Sequence, residues 1–116
     1  MRFTDTLKKN YEFRRIYAKG KSAVTPFLVV YARLTRRSGC RVGFTVSNKL
    51  GKAVVRNRVR RRLREIYRLH EAGFVPGAEI VVVARGRAVG AQYRQLERAM
   101  LDACKRLGVW RSDPPC

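Results

Sequence analysis

The chain has 116 residues, with 27 Lys and Arg against 8 Asp and Glu, and carries a formal net charge of +19 with its single histidine neutral. That length suits one hydrophobic core and not two, and an apolar content of 46% excludes a disordered basic tail. Such an excess of like charge opposes compaction, so its retention implies a polyanionic partner, nucleic acid being the usual one.

In chain order, residues 10–20 read as a short helix, with Asn10 as N-cap and Gly20 as C′ residue. Phe13, Ile16 and Tyr17 fall on one face of it at i, i+3 and i+4. Residues 22–25 read as a short strand, with Pro26 marking a break or edge. From 27 to 35 the pattern alternates: Leu28, Val30, Ala32 and Leu34 point to the core, and Phe27, Val29, Tyr31 and Arg33 point the other way. A turn at 36–39 leads into a strand over 41–47 with Val42, Phe44 and Val46 inward, and the two strands are expected to form an antiparallel hairpin.

The clearest helix spans 52–71. Val55, Val59, Leu63, Ile66 and His70 make an apolar stripe, opposite Asn57, Arg61, Arg64 and Arg68, with Arg56, Arg58, Arg60 and Arg62 on the flanks. Gly73, Pro76 and Gly77 break the chain before a near-continuous apolar strand at 79–85, expected in mid-sheet. The last helix, 92–107, places Tyr93, Leu96, Met100, Cys104 and Leu107 inward and spaces Arg98, Asp102 and Arg106 for i, i+4 pairing. The expected order is α-β-β-β-α-β-α, an α/β (α+β) domain with a small mixed sheet and about three helices. A single domain over 1–116 is expected, ordered across about 8–107 with frayed ends.

No run approaches the roughly 18–20 apolar residues of a membrane span, and Met1-Arg2-Phe3-Thr4 does not open a signal peptide, so a cytoplasmic location without a membrane partner is expected. Cys40, Cys104 and Cys116 are odd in number and widely spaced, which argues against disulfides and zinc; Cys40 and Cys104 read as buried thiols and Cys116 as part of a frayed end. The eight acids are scattered rather than clustered as metal-dependent hydrolysis requires. His70 lies on an apolar stripe, a core or boundary position and not that of a catalytic base. Lys49-Leu50-Gly51-Lys52 lacks the spacing of a phosphate loop. No catalytic or metal-binding residue is assigned.

Residues 52–68 hold eight basic residues against Glu65 alone. A merely solvated helix alternates Glu and Lys for i, i+4 support, whereas this one sets like charges at that spacing and destabilises itself. Arginine dominates, which favours bidentate phosphate recognition. Lys52, Arg56, Asn57, Arg58, Arg60, Arg61, Arg64 and Arg68 are the expected polyanion ligands. Tyr31, opposite the aliphatic set and near Arg33, gives the sheet an aromatic and basic face of the kind on which single-stranded bases stack.

The segment Lys52-Ala53-Val54-Val55-Arg56-Asn57-Arg58-Val59-Arg60-Arg61-Arg62-Leu63-Arg64-Glu65 resembles the protein component of bacterial ribonuclease P, whose helix carries an Arg-Asn-Arg motif. The resemblance extends to Lys8-Lys9-Asn10-Tyr11-Glu12-Phe13 with Tyr17 and Gly20, to Arg41-Val42-Gly43-Phe44-Thr45-Val46-Ser47-Asn48-Lys49, and to Ile80-Val81-Val82-Val83-Ala84-Arg85. It implies a two-layer α/β sandwich with an unusual left-handed crossover, where the general rule gives the opposite hand. It also implies that the RNA subunit performs metal-dependent hydrolysis with magnesium held mainly by that RNA and none bound by the protein alone. The protein would bind the catalytic RNA and the 5′ leader of precursor tRNA, improving affinity for substrate and metal, with no obligate protein partner. Carried over by position, Arg56, Asn57, Arg58, Arg61 and Arg64 would face the catalytic RNA, and Phe13, Tyr17, Tyr31 and Lys49 would line the leader cleft. The alternatives are a structural RNA-binding protein such as a ribosomal one, a stand-alone nuclease, and a basic-region DNA binder that lacks the expected heptad zipper.

Overall fold

The computed structural model describes residues 4–112, so Cys116 and Asp113 lie outside the described residues. Five strands and three helices alternate as β1 (Thr4–Thr6), α1 (Asn10–Lys19), β2 (Lys21–Val24), β3 (Leu28–Leu34), β4 (Cys40–Thr45), α2 (Ala53–His70), β5 (Ala78–Ala84) and α3 (Tyr93–Arg106). The sheet order is β1-β4-β5-β3-β2. β4 is parallel to both β1 and β5, and β3 is antiparallel to both β5 and β2.

β3 and β4 are therefore not a hairpin. β5, the strand apolar on both faces, sits between them, its edges paired with β3 and β4 and its faces packed under α2 and α3 on one side and partly under α1 on the other. The connection between β3 and β4 crosses the end of β5 and is pinned there: Thr35 N–H donates to Gly77 O at 2.8 Å and Gly77 N–H to Gly39 O at 3.1 Å. β4 and β5 become parallel neighbours joined through α2, as the crossover topology requires.

The two sheet faces differ. Leu28, Val30, Ala32, Val42, Ile80, Val82 and Ala84 join Val59, Leu63 and Ile66 of α2 and Leu96, Met100, Ala103 and Cys104 of α3 in the main core. The expected two-layer packing holds on this side. On the other face α1 lies alone, burying Ile16 against Leu7 and Val81. It covers that face only in part.

Several local expectations change. β1 precedes the expected first element, and Val109 is buried behind α3 while Trp110 bridges Phe74, so packed structure extends on both sides of 8–107. Leu34 is 57% exposed, because β3 outruns the helices that cover it. The N-cap of α1 is Lys9, not Asn10; Glu12, at the third helical position, reaches back so that its Oε1 accepts the Lys8 and Lys9 N–H groups at 3.3 and 3.0 Å. Gly20 ends α1 with an ordinary φ of −84°. It is required there by space: a Cβ would fall 2.6 Å from Ile16 O and 2.8 Å from Ala32 O. Tyr67, absent from the expected stripe, is fully buried, packs on Phe74 with ring centroids 4.5 Å apart, and ties α2 to β1 through Thr4 at 2.8 Å.

Candidate nucleic-acid interface

α2 holds together against its own charge. Like-charged neighbours one turn apart cost about 0.2–0.5 kcal/mol each, whereas fully burying side chains the size of Val59, Leu63, Ile66 and Tyr67 returns roughly 1.5–3 kcal/mol apiece. Burial dominates, and the arginines are left on the outer side.

They are not equivalent. Arg58, Arg61 and Arg64 are exposed and make no hydrogen bond or ion pair with any described residue. Arg56 folds back onto the preceding 3₁₀ turn, Asn48–Leu50, donating to Gly51 O at 3.2 Å and to Asn48 Oδ1 at 2.6 Å. Arg60 donates to Asn57 Oδ1 at 3.1 Å, and Arg62 reaches across to Ala91 O at 3.0 Å, ahead of α3. Arg68 pairs with Glu65 at 2.6 Å, and that guanidinium holds the Glu65 carboxyl below the usual range. Exposed pairs of this kind contribute little and yield readily to a phosphate. Lys52 caps the helix with extended backbone and is exposed.

The second surface lies on the α1 face of the sheet. Across it run the register rows Gly43, Val81, Tyr31 and Thr45, Val83, Val29. Phe13 lies flat on Gly43, where a Cβ would come 2.5 Å from its Cε1. Tyr17 meets Tyr31 edge to face, with centroids 4.8 Å apart and planes at 82°, and its hydroxyl lies 3.4 Å from Thr45 Oγ1. Past Tyr17, the half-buried Tyr31, Val29, Val83 and Thr45 continue the surface. Tyr17 remains 39% exposed, so these rings present faces and edges to a ligand.

The expectation of a basic sheet face is corrected. Arg33 Nε donates to Glu79 at 2.6 Å, and Arg41 pairs with Glu12 and lies 3.7 Å from Glu79, so both cations are neutralised inside the protein. The buried Glu79 and Glu12 face these guanidinium groups, which compensate their removal from water. What remains is an aromatic and apolar cleft with hydroxyl edges. Lys49 is exposed on the turn beyond β4 and makes no ring contact or hydrogen bond with Phe13, Tyr17 or Tyr31 through its side chain. Sequence reasoning missed Val29, Val83 and Thr45 as cleft walls; alternation already placed Val29 beside Tyr31, but the register of β5 was needed for Val83. His70 sits half-buried between Glu97, at 2.9 Å, and the Trp110 ring, a structural position.

No helix is long and apolar enough to cross a membrane among the described residues. A family model described as Ribonuclease P matches residues 1–108. The Ribonuclease P protein component of Alkaliphilus oremlandii is 40% identical over 112 residues, covering 97% of this chain and 98% of the relative. That of Thermoanaerobacter sp. strain X514 is 45% identical over 94 residues, 81% of each. Among solved structures, the RNase P protein of Staphylococcus aureus superposes with a TM-score of 0.83 at 34% identity, covering 91% of this chain and 97% of that one. The RNase P protein of Thermotoga maritima gives 0.80 at 29% identity, over 88% and 96%.

Proposed function

The chain belongs to the ribonuclease P protein family, and from that premise we propose that its two surfaces divide two RNAs between them. Ribonuclease P is the endoribonuclease of tRNA 5′ maturation, and its protein component partners an RNA subunit. Lys52, Arg56, Asn57, Arg58, Arg60, Arg61, Arg64 and Arg68 of the α2 ridge contact the catalytic RNA. Phe13, Tyr17, Tyr31 and Lys49 serve the 5′ leader of precursor tRNA, with Phe13 acting from beneath as the support of the cleft.

The observation that carries this division is the placement of unpaired charge. Arg58, Arg61 and Arg64 stand free on a convex helix, the shape and chemistry that meet phosphates of structured RNA. The cleft offers stacking surface with its neighbouring arginines already paired, which suits splayed single-stranded bases. In use, the ridge docks the protein onto the RNA subunit and the cleft holds the leader, orienting the precursor toward the cleavage site and distinguishing it from mature tRNA.

Most carboxylates among the described residues are already engaged. Glu12 and Glu79 are taken by Arg41 and Arg33, Glu65 by Arg68, Glu97 by His70 and Asp102 by Arg106. Among the described residues no three His, Cys, Asp or Glu are grouped to hold a metal. We therefore assign magnesium-dependent hydrolysis to the RNA subunit. The test is reconstitution: with a bacterial ribonuclease P RNA at low magnesium, this protein restores accurate 5′ cleavage of precursor tRNA. Failure with several such RNAs overturns the assignment, and cleavage by the purified protein alone overturns the division of labour.

A further inference from the structure

The outer face of α1 carries charge that neither surface above uses. Lys8, Lys9, Arg14, Arg15 and Lys19 are exposed and make no ion pair with any described residue. Of the acids beside them, Glu12 is taken by Arg41, which leaves Asp5 alone against five cations. Arg15 and Lys19 stand one turn apart, a like-charge spacing that costs the helix and is offset by the burial of Ile16 beneath it. Among these cations lies the ring of Tyr11, 54% exposed, with Lys9 Nζ and the Arg15 guanidinium 5.9 and 5.7 Å from its centroid. The ring borders a hollow of about 530 Å³ between the start of α1 and β1, a size usual for ligand clefts. An aromatic ring among unpaired cations is complementary to single-stranded nucleic acid, a base against the ring and phosphates against the charges. A stacked base is held more strongly than an exposed cation over the same ring, so Lys9 and Arg15 give up the ring and turn to phosphate.

Position decides which RNA. A duplex keeps the faces of its bases covered by their neighbours, so Tyr11 takes an unpaired nucleotide. The α2 ridge lies across the sheet from α1, and RNA docked on that ridge faces away from Tyr11. The cleft is on the same side as Tyr11, and α1 itself is its wall. Tyr17, Arg14 and Tyr11 follow one another at steps of three residues back along this helix. Each step turns about 60° around the helix and moves about 4.5 Å along its axis. The row therefore starts at the cleft with Tyr17, crosses the lip at Arg14 and reaches the outer face at Tyr11. A single strand stacked on Tyr17 and Tyr31 that leaves over this lip meets a free guanidinium and then a second ring.

We propose that the outer face of α1 is a second leader subsite, where a nucleotide upstream of those in the cleft stacks on Tyr11 and its phosphates meet Arg14 and Arg15. The proposal rests on the reading of the Tyr17 and Tyr31 cleft as the leader site. Its test is the affinity of the reconstituted RNA–protein enzyme for precursor tRNAs with leaders of about 4 and about 12 nucleotides. The long leader binds more tightly, and Tyr11→Ala removes that gain, about tenfold, while leaving the short leader within about twofold. Tyr11→Phe, which keeps the ring, keeps the gain. In the double variant Arg14→Gln, Arg15→Gln the salt slope for the long leader falls by about 0.7 per arginine removed. No gain with length, a gain that survives Tyr11→Ala, a loss with Tyr11→Phe as large as with Tyr11→Ala, or an unchanged slope overturns the subsite. So does an equal loss for tRNA without a leader or for the RNA subunit without precursor. Failure of the cleft reading shows separately, as short-leader affinity indifferent to Tyr31→Ala.

Discussion

Arginine residues that look alike in sequence have different work in the folded chain. Arg56 and Arg62 bind backbone carbonyls of the loops around α2, so they set its placement as well as presenting charge. Arg61 and Arg64 bind nothing described, and their removal leaves the fold intact. Replacing Arg61 or Arg64 by Ala therefore weakens binding to the RNA subunit and lowers the salt slope by about one per lost phosphate contact, read from affinity across a series of salt concentrations; an unchanged slope removes that residue from the interface. Arg33 teaches the converse. It sits beside Tyr31 as alternation implies, yet its charge belongs to Glu79, a partner 46 residues away that no local pattern reveals.

At the scale of elements, periodicity located the three α-helices, β3 and β4, because each buries one face or stripe, while β5 read as a strand from its unbroken apolar run and β2 only from its place before Pro26. Pairing was not legible in the same way. The short loop between β3 and β4 reads as a hairpin, but hydrophobic burial of β5 outweighs the local convenience of that turn. β1 has only three residues, too few for a pattern, and is held by its ladder to β4 and by Tyr67. The seat of α1 was likewise hidden, since Gly43 matters through what it lacks. Gly43→Ala puts a methyl into the Phe13 ring and costs about 1–3 kcal/mol, seen as a lower urea midpoint; a midpoint unchanged by the substitution means Phe13 has another place to go.

For the whole molecule, the charge excess and the buried core act in separate regions. The thiols show how dry the core is: burial pushes Cys104 up to about 12 and raises Cys40, whose Sγ donates to Val75 O at 3.3 Å. A raised thiol value favours the neutral form, so this contribution to stability is complete below about pH 9 and is lost as pH climbs toward 12. In a Cys116→Ser variant at pH 8, both thiols resist alkylation when native and react fully in denaturant; fast native reaction contradicts the packing.

The family's Arg-Asn-Arg helix was legible whole, as a run of charge on one helix. The cleft was legible only in half, since Tyr17 and Tyr31 lie on separate elements that a long-range register brings within 4.8 Å. The account stands most directly on that pair. The deciding measurement is the affinity of the reconstituted enzyme, wild type and Tyr31→Ala, for precursor tRNA and for the same tRNA without its leader. A base stacked on Tyr31 predicts a loss of about 1–3 kcal/mol, roughly 5- to 150-fold, confined to the precursor. Equal losses for both tRNAs, or none for either, contradict it.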